Sequence, residues 1–202
     1  MPLGEGWDFT IEIPDGWYLR DPDLSNRQQG IEAFADELIA AAPELAGQRA
    51  EMVDRYLTFA SDADAKSAVI AAMLWEPADE VPIAADLRIH EAERDFSDDL
   101  DKELAHLEET LSQADHDDLG PRVVQIVDLP AGRAVRLRLL TQTDPDPDGS
   151  TIALDVVQHW VPVPGFPDTV LISATTPNLV FADELVEAFD AIAATLELDL
   201  NA

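Results

Sequence analysis

Val170-Leu-Ile-Ser-Ala-Thr-Thr-Pro177 is the stretch that decides the fold, because it predicts a strand running directly into a helix. We predict that this helix covers about 179–196 and turns one apolar face inward. That face comprises Leu185, Val186, Phe189, Ile192, Ala193 and Leu196. At the other end of the chain, Phe9-Thr-Ile-Glu-Ile-Pro-Asp-Gly-Trp17 alternates apolar and polar residues. It predicts a strand within 7–19 that turns at Pro14-Asp-Gly16.

Helices and strands are segregated along the rest of the chain. Apolar residues at helical spacing predict a helical insertion at about 26–60, and Ser97 is expected to cap a further helix. Apolar or alternating segments predict strands near 69–75, 83–91, 122–129, 133–143, 151–163 and 168–175. The pattern predicts an α+β fold in one domain, 1–202. It is expected to be a single antiparallel β-sheet meander with N-terminal, middle and C-terminal helices packed on it.

This order of elements resembles the PsbP-like fold. The residues that carry the resemblance are Pro14-Asp-Gly-Trp17, Ile172-Ser-Ala-Thr-Thr-Pro177 and Phe189-Asp-Ala-Ile192. The family includes the extrinsic photosystem protein PsbP, Ran-binding eukaryotic relatives and many bacterial proteins. The helices at 26–60 and Pro162-Val-Pro-Gly165 resemble a variant found in actinobacterial proteins. Because members of the family mostly act as binding or accessory proteins, the resemblance implies such a role and implies no catalytic residue.

Composition excludes several classes of function. The chain has 202 residues, 42 of them acidic and 12 basic, which gives a net charge of −30 that opposes binding to nucleic acid. It has no cysteine, so disulfides, thiolate metal sites and cysteine nucleophiles are excluded. No apolar run approaches the roughly 20 residues of a membrane helix, and no signal peptide is recognisable, so we expect a cytoplasmic protein. The acidic surface suits either plain solvation or a basic protein partner.

Two arginines are candidates for ligand or partner binding. Arg136 and Arg138 share one face of a predicted strand, where guanidinium groups suit carboxylates and phosphates. Local neutralisation of neighbouring carboxylates explains the same pattern. The sequence leaves both interpretations open.

His159 and Trp7 are the other two binding candidates. His159 lies in an apolar strand with Asp155 and Ser173 nearby in sequence, but no Gly-x-Ser-x-Gly elbow accompanies them. A histidine satisfied by a structural hydrogen bond is therefore the better interpretation than a hydrolytic triad. Trp7 precedes the first strand among glycines, so we expect it to be exposed as a binding anchor.

Asp144, Asp146 and Asp148 copy the start of a calcium-binding loop and end at Gly149. Two prolines stiffen this loop, its twelfth position is Asp155 rather than glutamate, and strands flank it. A plain hairpin loop explains the segment better, so calcium is a weak candidate and we predict no metal and no cofactor.

These observations favour a non-enzymatic, cytoplasmic protein-binding or accessory module, of a secretion-associated or immunity type. Its partner is expected to be a protein, for which a basic protein is one option, and neither nucleic acid nor membrane. The alternative is a small-molecule-binding protein or hydrolase with a cleft between the sheet and the 26–60 helices. A cleft that holds Arg136, Arg138 and His159 together would favour this alternative. The sequence leaves the oligomeric state open.

Overall fold

The computed structural model describes residues 6–76, 82–94, 99–114, 118–143 and 149–201. Within these ranges the α-helices are α1 (Leu24–Ala41), α2 (Arg49–Ala65), α3 (Leu100–Gln113) and α4 (Ala182–Ala193), with short 3-10 helices at Pro43–Gln48 and Leu179–Phe181. The strands are β1 (Asp8–Thr10), β2 (Trp17–Leu19), β3 (Ile70–Glu76), β4 (Ile83–Glu93), β5 (Val123–Leu129), β6 (Gly132–Gln142), β7 (Ala153–Pro162), β8 (Asp168–Thr176) and β9 (Glu197–Asp199). The α+β class is confirmed.

Seven strands form one antiparallel sheet in the order β2-β3-β4-β8-β7-β6-β5. The prediction of a single meander is wrong, because the chain passes by way of α3 from β4 to the far edge of the sheet. From β5 it returns strand by strand until β8 pairs with β4, with Ile89 opposite Ile172. This arrangement places β4 and β8, which are far apart in sequence, beside each other in the middle of the sheet.

The N-terminal segment also differs from the prediction. The single strand expected within 7–19 is two short strands, because β1 pairs with β9 and β2 pairs with β3. The last helix is shorter than 179–196: α4 ends at Ala193, and β9 follows it. Phe9 opposite Leu198 joins the two ends of the chain beside the core.

Helix starts follow local capping. The Asp23 side chain accepts a hydrogen bond from the Ser25 backbone nitrogen at 2.8 Å, so α1 begins two residues before the predicted 26. Asp99 caps α3 by accepting from the Lys102 nitrogen at 3.3 Å. The predicted cap, Ser97, lies outside the described residues.

The helices cover the two faces of the sheet unequally. On one face α4 buries its predicted stripe against the centre of the sheet, including Leu87 and Val157. On the other face, α1 and α2 pack on β2 and β3, while α3 packs beside β5 and β6. No helix in the described part of the chain lies over the middle of that second face, where β4, β8 and β7 run. This uncovered part of the second face forms a groove.

Candidate functional site

The groove lies between α2 and the uncovered side chains of β4, β8 and β7, and its volume is about 790 Å³. Strand alternation creates it, because Leu171 and Ser173 point into the groove while Ile172 between them is buried against α4. Its apolar walls are formed by Phe59, Met73, Ala84, Leu154, Val156 and Leu171. Such a surface, apolar and open, can accept an apolar ligand.

Arg88 organises the polar part of the groove. Its Nη1 lies 2.9 Å from Asp62 Oδ2, and its Nη2 donates to Asp86 Oδ2 at 3.0 Å. The guanidinium carbon lies 5.5 Å from the centre of the Phe59 ring. Thr175 Oγ1 donates to the second oxygen of Asp86 at 2.6 Å. Arg88 is therefore neutralised and held in place, so it is a structural part of the groove wall.

A row of neutral polar side chains crosses the neighbouring strands. Ser173 lies opposite Arg88 on one side and Gln158 on the other. Gln158 Nε2 is 3.5 Å from Ser173 Oγ, and Trp160 Nε1 donates to Gln158 Oε1 at 3.2 Å. Among the described residues no hydrogen bond joins Ser173 to a histidine. The row can donate and accept hydrogen bonds, but it is not arranged for nucleophilic catalysis.

His90 also lines the groove, opposite Leu171 in the sheet. Burial lowers the pKa of the His90 imidazole, and the neighbouring charge of Arg88 lowers it further. The imidazole is therefore neutral near pH 7.

The charge balance of the groove differs from that of the chain. Its lining holds three basic side chains, Arg55, Lys66 and Arg88, and two acidic ones, Asp62 and Asp86. The whole chain has 42 acidic and 12 basic residues. The lining of the groove is thus nearly balanced in charge, with one more basic than acidic side chain, in an otherwise strongly acidic protein.

Arg136 and His159 lie together, but on the opposite face of the sheet from the groove. Arg136 donates to both oxygens of Asp190 on α4, at 2.8 and 3.0 Å, and His159 Nε2 lies 3.0 Å from the same carboxylate. Arg138 binds Asp155 and Asp183 instead. Arg136, Arg138 and His159 therefore do not lie together in a cleft beside the 26–60 helices, the arrangement that would have favoured the small-molecule or hydrolase alternative, because strand alternation turns these side chains toward α4. The interpretation as local neutralisation agrees with these contacts.

The carboxylate of Asp190 connects α4 to β6 and β7. Burial by itself raises the pKa of Asp190, but the hydrogen bonds from His159 and Arg136 outweigh it and hold the pKa below its usual value. Since the folded state favours the ionised form, the carboxylate stabilises the fold at neutral pH. This contribution is lost as the pH falls through the depressed folded pKa.

We therefore expect Asp190→Asn to destabilise the protein at pH 7 and to matter progressively less in acid. The difference in free energy of unfolding from the wild type should begin to shrink below about pH 4, where a free aspartate takes up its proton. Urea unfolding at a series of pH values measures this difference. A difference that is constant from neutral to acid pH would show that the ionised carboxylate is not what stabilises this contact.

The exposure predicted for Trp7 is wrong. Its side chain is fully buried at 0% exposure, and its Nε1 donates to Asp168 Oδ2 at 2.9 Å. Pairing of β1 with β9 brings Trp7 into the core, where its ring stacks near that of Phe9 at 6.4 Å between centroids. Trp7 thus anchors the N-terminal strand.

The calcium candidates Asp144, Asp146 and Asp148 lie outside the described residues, so that site stays a prediction. Within the described ranges, no group of three or more histidine, aspartate or glutamate side chains is placed to hold a metal ion. No helix in those ranges is both long enough and apolar enough to cross a membrane.

The alternative hypothesis from the sequence placed a cleft between the sheet and the 26–60 helices, where the groove lies, but it did not identify the residues that line the groove, although one signal for them was present. Asp86, Arg88 and His90 alternate with the buried Leu87 and Ile89, so three titratable side chains share one face of a central strand. Polar residues on one face of a central strand indicate that this face is not fully buried. The sequence does not show which helix borders it.

Comparison with known proteins gives little further guidance. No protein-family model matches the chain, and no curated protein matches its sequence. Among solved structures it is similar to the crystal structure of LpqN, described as involved in cell envelope biogenesis of Mycobacterium tuberculosis. The TM-score is 0.47 at 12% sequence identity, over 96% of this chain and 84% of that chain. A similarity of this size transfers no function.

Proposed function

We propose that the chain is a non-enzymatic binding protein whose groove takes a small molecule with an apolar body and an anionic group. The observation that carries the proposal is an apolar groove with an excess of basic side chains in a protein of net charge −30. Its volume of about 790 Å³ falls in the range of roughly 300–1,000 Å³ usual for small-molecule sites. Burial of apolar ligand surface against these walls supplies the affinity.

The rim supplies the charge recognition. Arg55 and Lys66 have side chains 44% and 58% exposed, and each forms an ion pair one helical turn back along α2, with Glu51 and Asp62. Exposed pairs of this kind are worth little, so either cation can exchange its partner for a ligand anion at small cost. Arg88, by contrast, is committed to Asp62 and Asp86.

Titration calorimetry tests this proposal with decanoate and decyltrimethylammonium below their micellar concentrations and with decanol below its solubility limit. We expect decanoate to bind most tightly, because it combines an apolar chain with a carboxylate. Ser173→Phe fills the groove and should weaken decanoate binding at least about tenfold. The matched control is Thr10→Phe, because Thr10 is exposed on β1, away from the groove. This variant should bind decanoate like the wild type.

The charge contribution is tested separately with Arg55→Gln combined with Lys66→Gln. This variant should lose affinity for decanoate and keep its affinity for decanol. Equal binding of decanoate and decyltrimethylammonium, or an unchanged affinity in Ser173→Phe, would count against the groove as an anion-preferring site.

A second candidate function is binding to a basic protein, in an accessory role of the secretion-associated or immunity type. It is favoured by the net charge of −30 and by the exposed apolar segment Leu179–Phe181, in which Val180 is 88% exposed. If electrostatic attraction drives this binding, the complex weakens as salt rises. We also propose that the chain belongs to the PsbP-like family and that it is cytoplasmic.

A further inference from the structure

β5 is the edge strand of the seven-stranded sheet. It pairs with β6 on one side, and no strand in the described part of the chain pairs with its other side. Alternate backbone N–H and C=O groups of an edge strand point outward and can pair with another strand. Edges that avoid such pairing carry charged residues, above all lysine, or proline; Val123–Leu129 has no lysine or proline and one charged residue, Asp128.

An exposed apolar surface continues from the start of β5. We call it the Leu140 patch, and it consists of Leu119, Val123, Leu140, Leu179 and Val180. The Leu119 nitrogen donates to the Leu140 carbonyl at 2.7 Å. Leu140 borders two hollows, one of about 340 Å³ beside Leu179 and Val180, the other of about 230 Å³ beside Val123. Val123 is 45% exposed and belongs to both β5 and the patch.

The charges around this surface are mainly negative. Asp183, 84% exposed, and Glu184 line the larger hollow, while Arg138 is held between Asp155 and Asp183. α3, which packs on β5, carries Asp101, Glu108 and Glu109. A second copy of the chain would bring another net charge of −30 against this surface. Charge complementarity therefore selects a cationic partner.

We propose that the β5 edge and the Leu140 patch together bind an extended, basic segment of a partner protein as an eighth strand. Backbone hydrogen bonds to β5 supply affinity, and alternate apolar side chains lie on the face of the sheet that carries Val123 and Leu140, where the hollow of about 230 Å³ borders β5. Basic side chains between them point to the other face of the sheet, where α3 carries Asp101, Glu108 and Glu109. The proposal is independent of the groove ligand and rests on the second candidate function, binding to a basic protein.

The test uses two synthetic peptides of about ten residues, with equal numbers of lysine and valine. In one peptide the two residues alternate, as in a strand with one apolar face, and in the other they form two blocks. We expect the alternating peptide to bind the full chain about tenfold more tightly, and to slow hydrogen exchange of the β5 amides. Double substitution of Val123→Lys and Val180→Lys should weaken its binding by at least about tenfold.

The matched control is Leu24→Lys, at a 72% exposed position at the start of α1. This variant also replaces an exposed apolar residue by lysine, but away from β5, and it should bind the alternating peptide like the wild type. If both peptides bind equally and the β5 amides are not protected, the second candidate function, binding to a basic protein, is retained. The proposed site at β5 and the Leu140 patch is then wrong. If neither peptide binds, the second candidate function fails as well. A stable homodimer that forms through β5 at low salt would also overturn the proposal.

Discussion

Phe189→Ala is expected to lower the free energy of unfolding by about 3–5 kcal/mol. Phe189 is 1% exposed at the centre of the inward face of α4, and its ring meets that of Trp17 edge-on at 6.4 Å between centroids. Truncation removes buried apolar surface and leaves a cavity between the helix and the sheet. Urea unfolding followed by tryptophan fluorescence measures the change.

Val180→Ala is the control for this experiment. It shortens an apolar side chain close to α4 in sequence, but at 88% exposure, so the expected change is below about 0.5 kcal/mol. Equal losses in the free energy of unfolding of the two variants would show that the packing of Phe189 between α4 and the sheet does not stabilise the fold.

Asp64→Ala is the second large effect that we expect. The carboxylate of Asp64 on α2 pairs with Arg20 and Arg27, whose side chains are only 7% and 8% exposed. Arg20 also donates to the carbonyl of Ala68, and Arg27 to that of Asp21. Removing the shared carboxylate leaves two nearly buried guanidinium groups without their counter-charge.

We expect this loss to cost about 2–4 kcal/mol, less than a fully buried pair, because Asp64 itself is 36% exposed and water can reach the site. Asp36→Ala is the matched control, since Asp36 pairs with Arg49 with side chains 60% and 40% exposed. Water screens an exposed pair of this kind, so the Asp36→Ala variant should lose clearly less stability than Asp64→Ala. Thermal unfolding measures the stability of both variants. Similar losses of stability would show that the ion pairs of Asp64 with Arg20 and Arg27 stabilise the fold no more than the exposed pair does.

Much of the local structure was predictable from the sequence. The strand before Pro177 was predicted to within one residue. Five of the six residues predicted to face inward are buried on α4, and Leu196 is buried just after it, because periodicity is a local property of the chain. The division of residues 7–19 was missed, since the pairing of β1 with β9 depends on residues nearly 190 positions away.

The candidate site was less predictable. Arg136, Arg138 and His159 were selected for their chemistry, but the contacts of Arg136 and His159 with Asp190 depend on where α4 packs. Trp7 was expected on the surface because no sequence pattern shows that β9 covers that end of the sheet. The groove residues Asp86 and Arg88 were missed, because strand alternation shows two faces without showing which of them a helix covers.

The sequence by itself determined the net charge of −30, the absence of thiol chemistry, the α+β class and the inward face of the last helix. These properties depend on composition or on residues close together in the chain. The tertiary structure alone decided the strand order, the open edge at β5 and the groove between α2 and the central strands. The reason is physical: which strand lies at an edge, and which sheet face stays uncovered, follows from pairing and packing between segments distant in sequence.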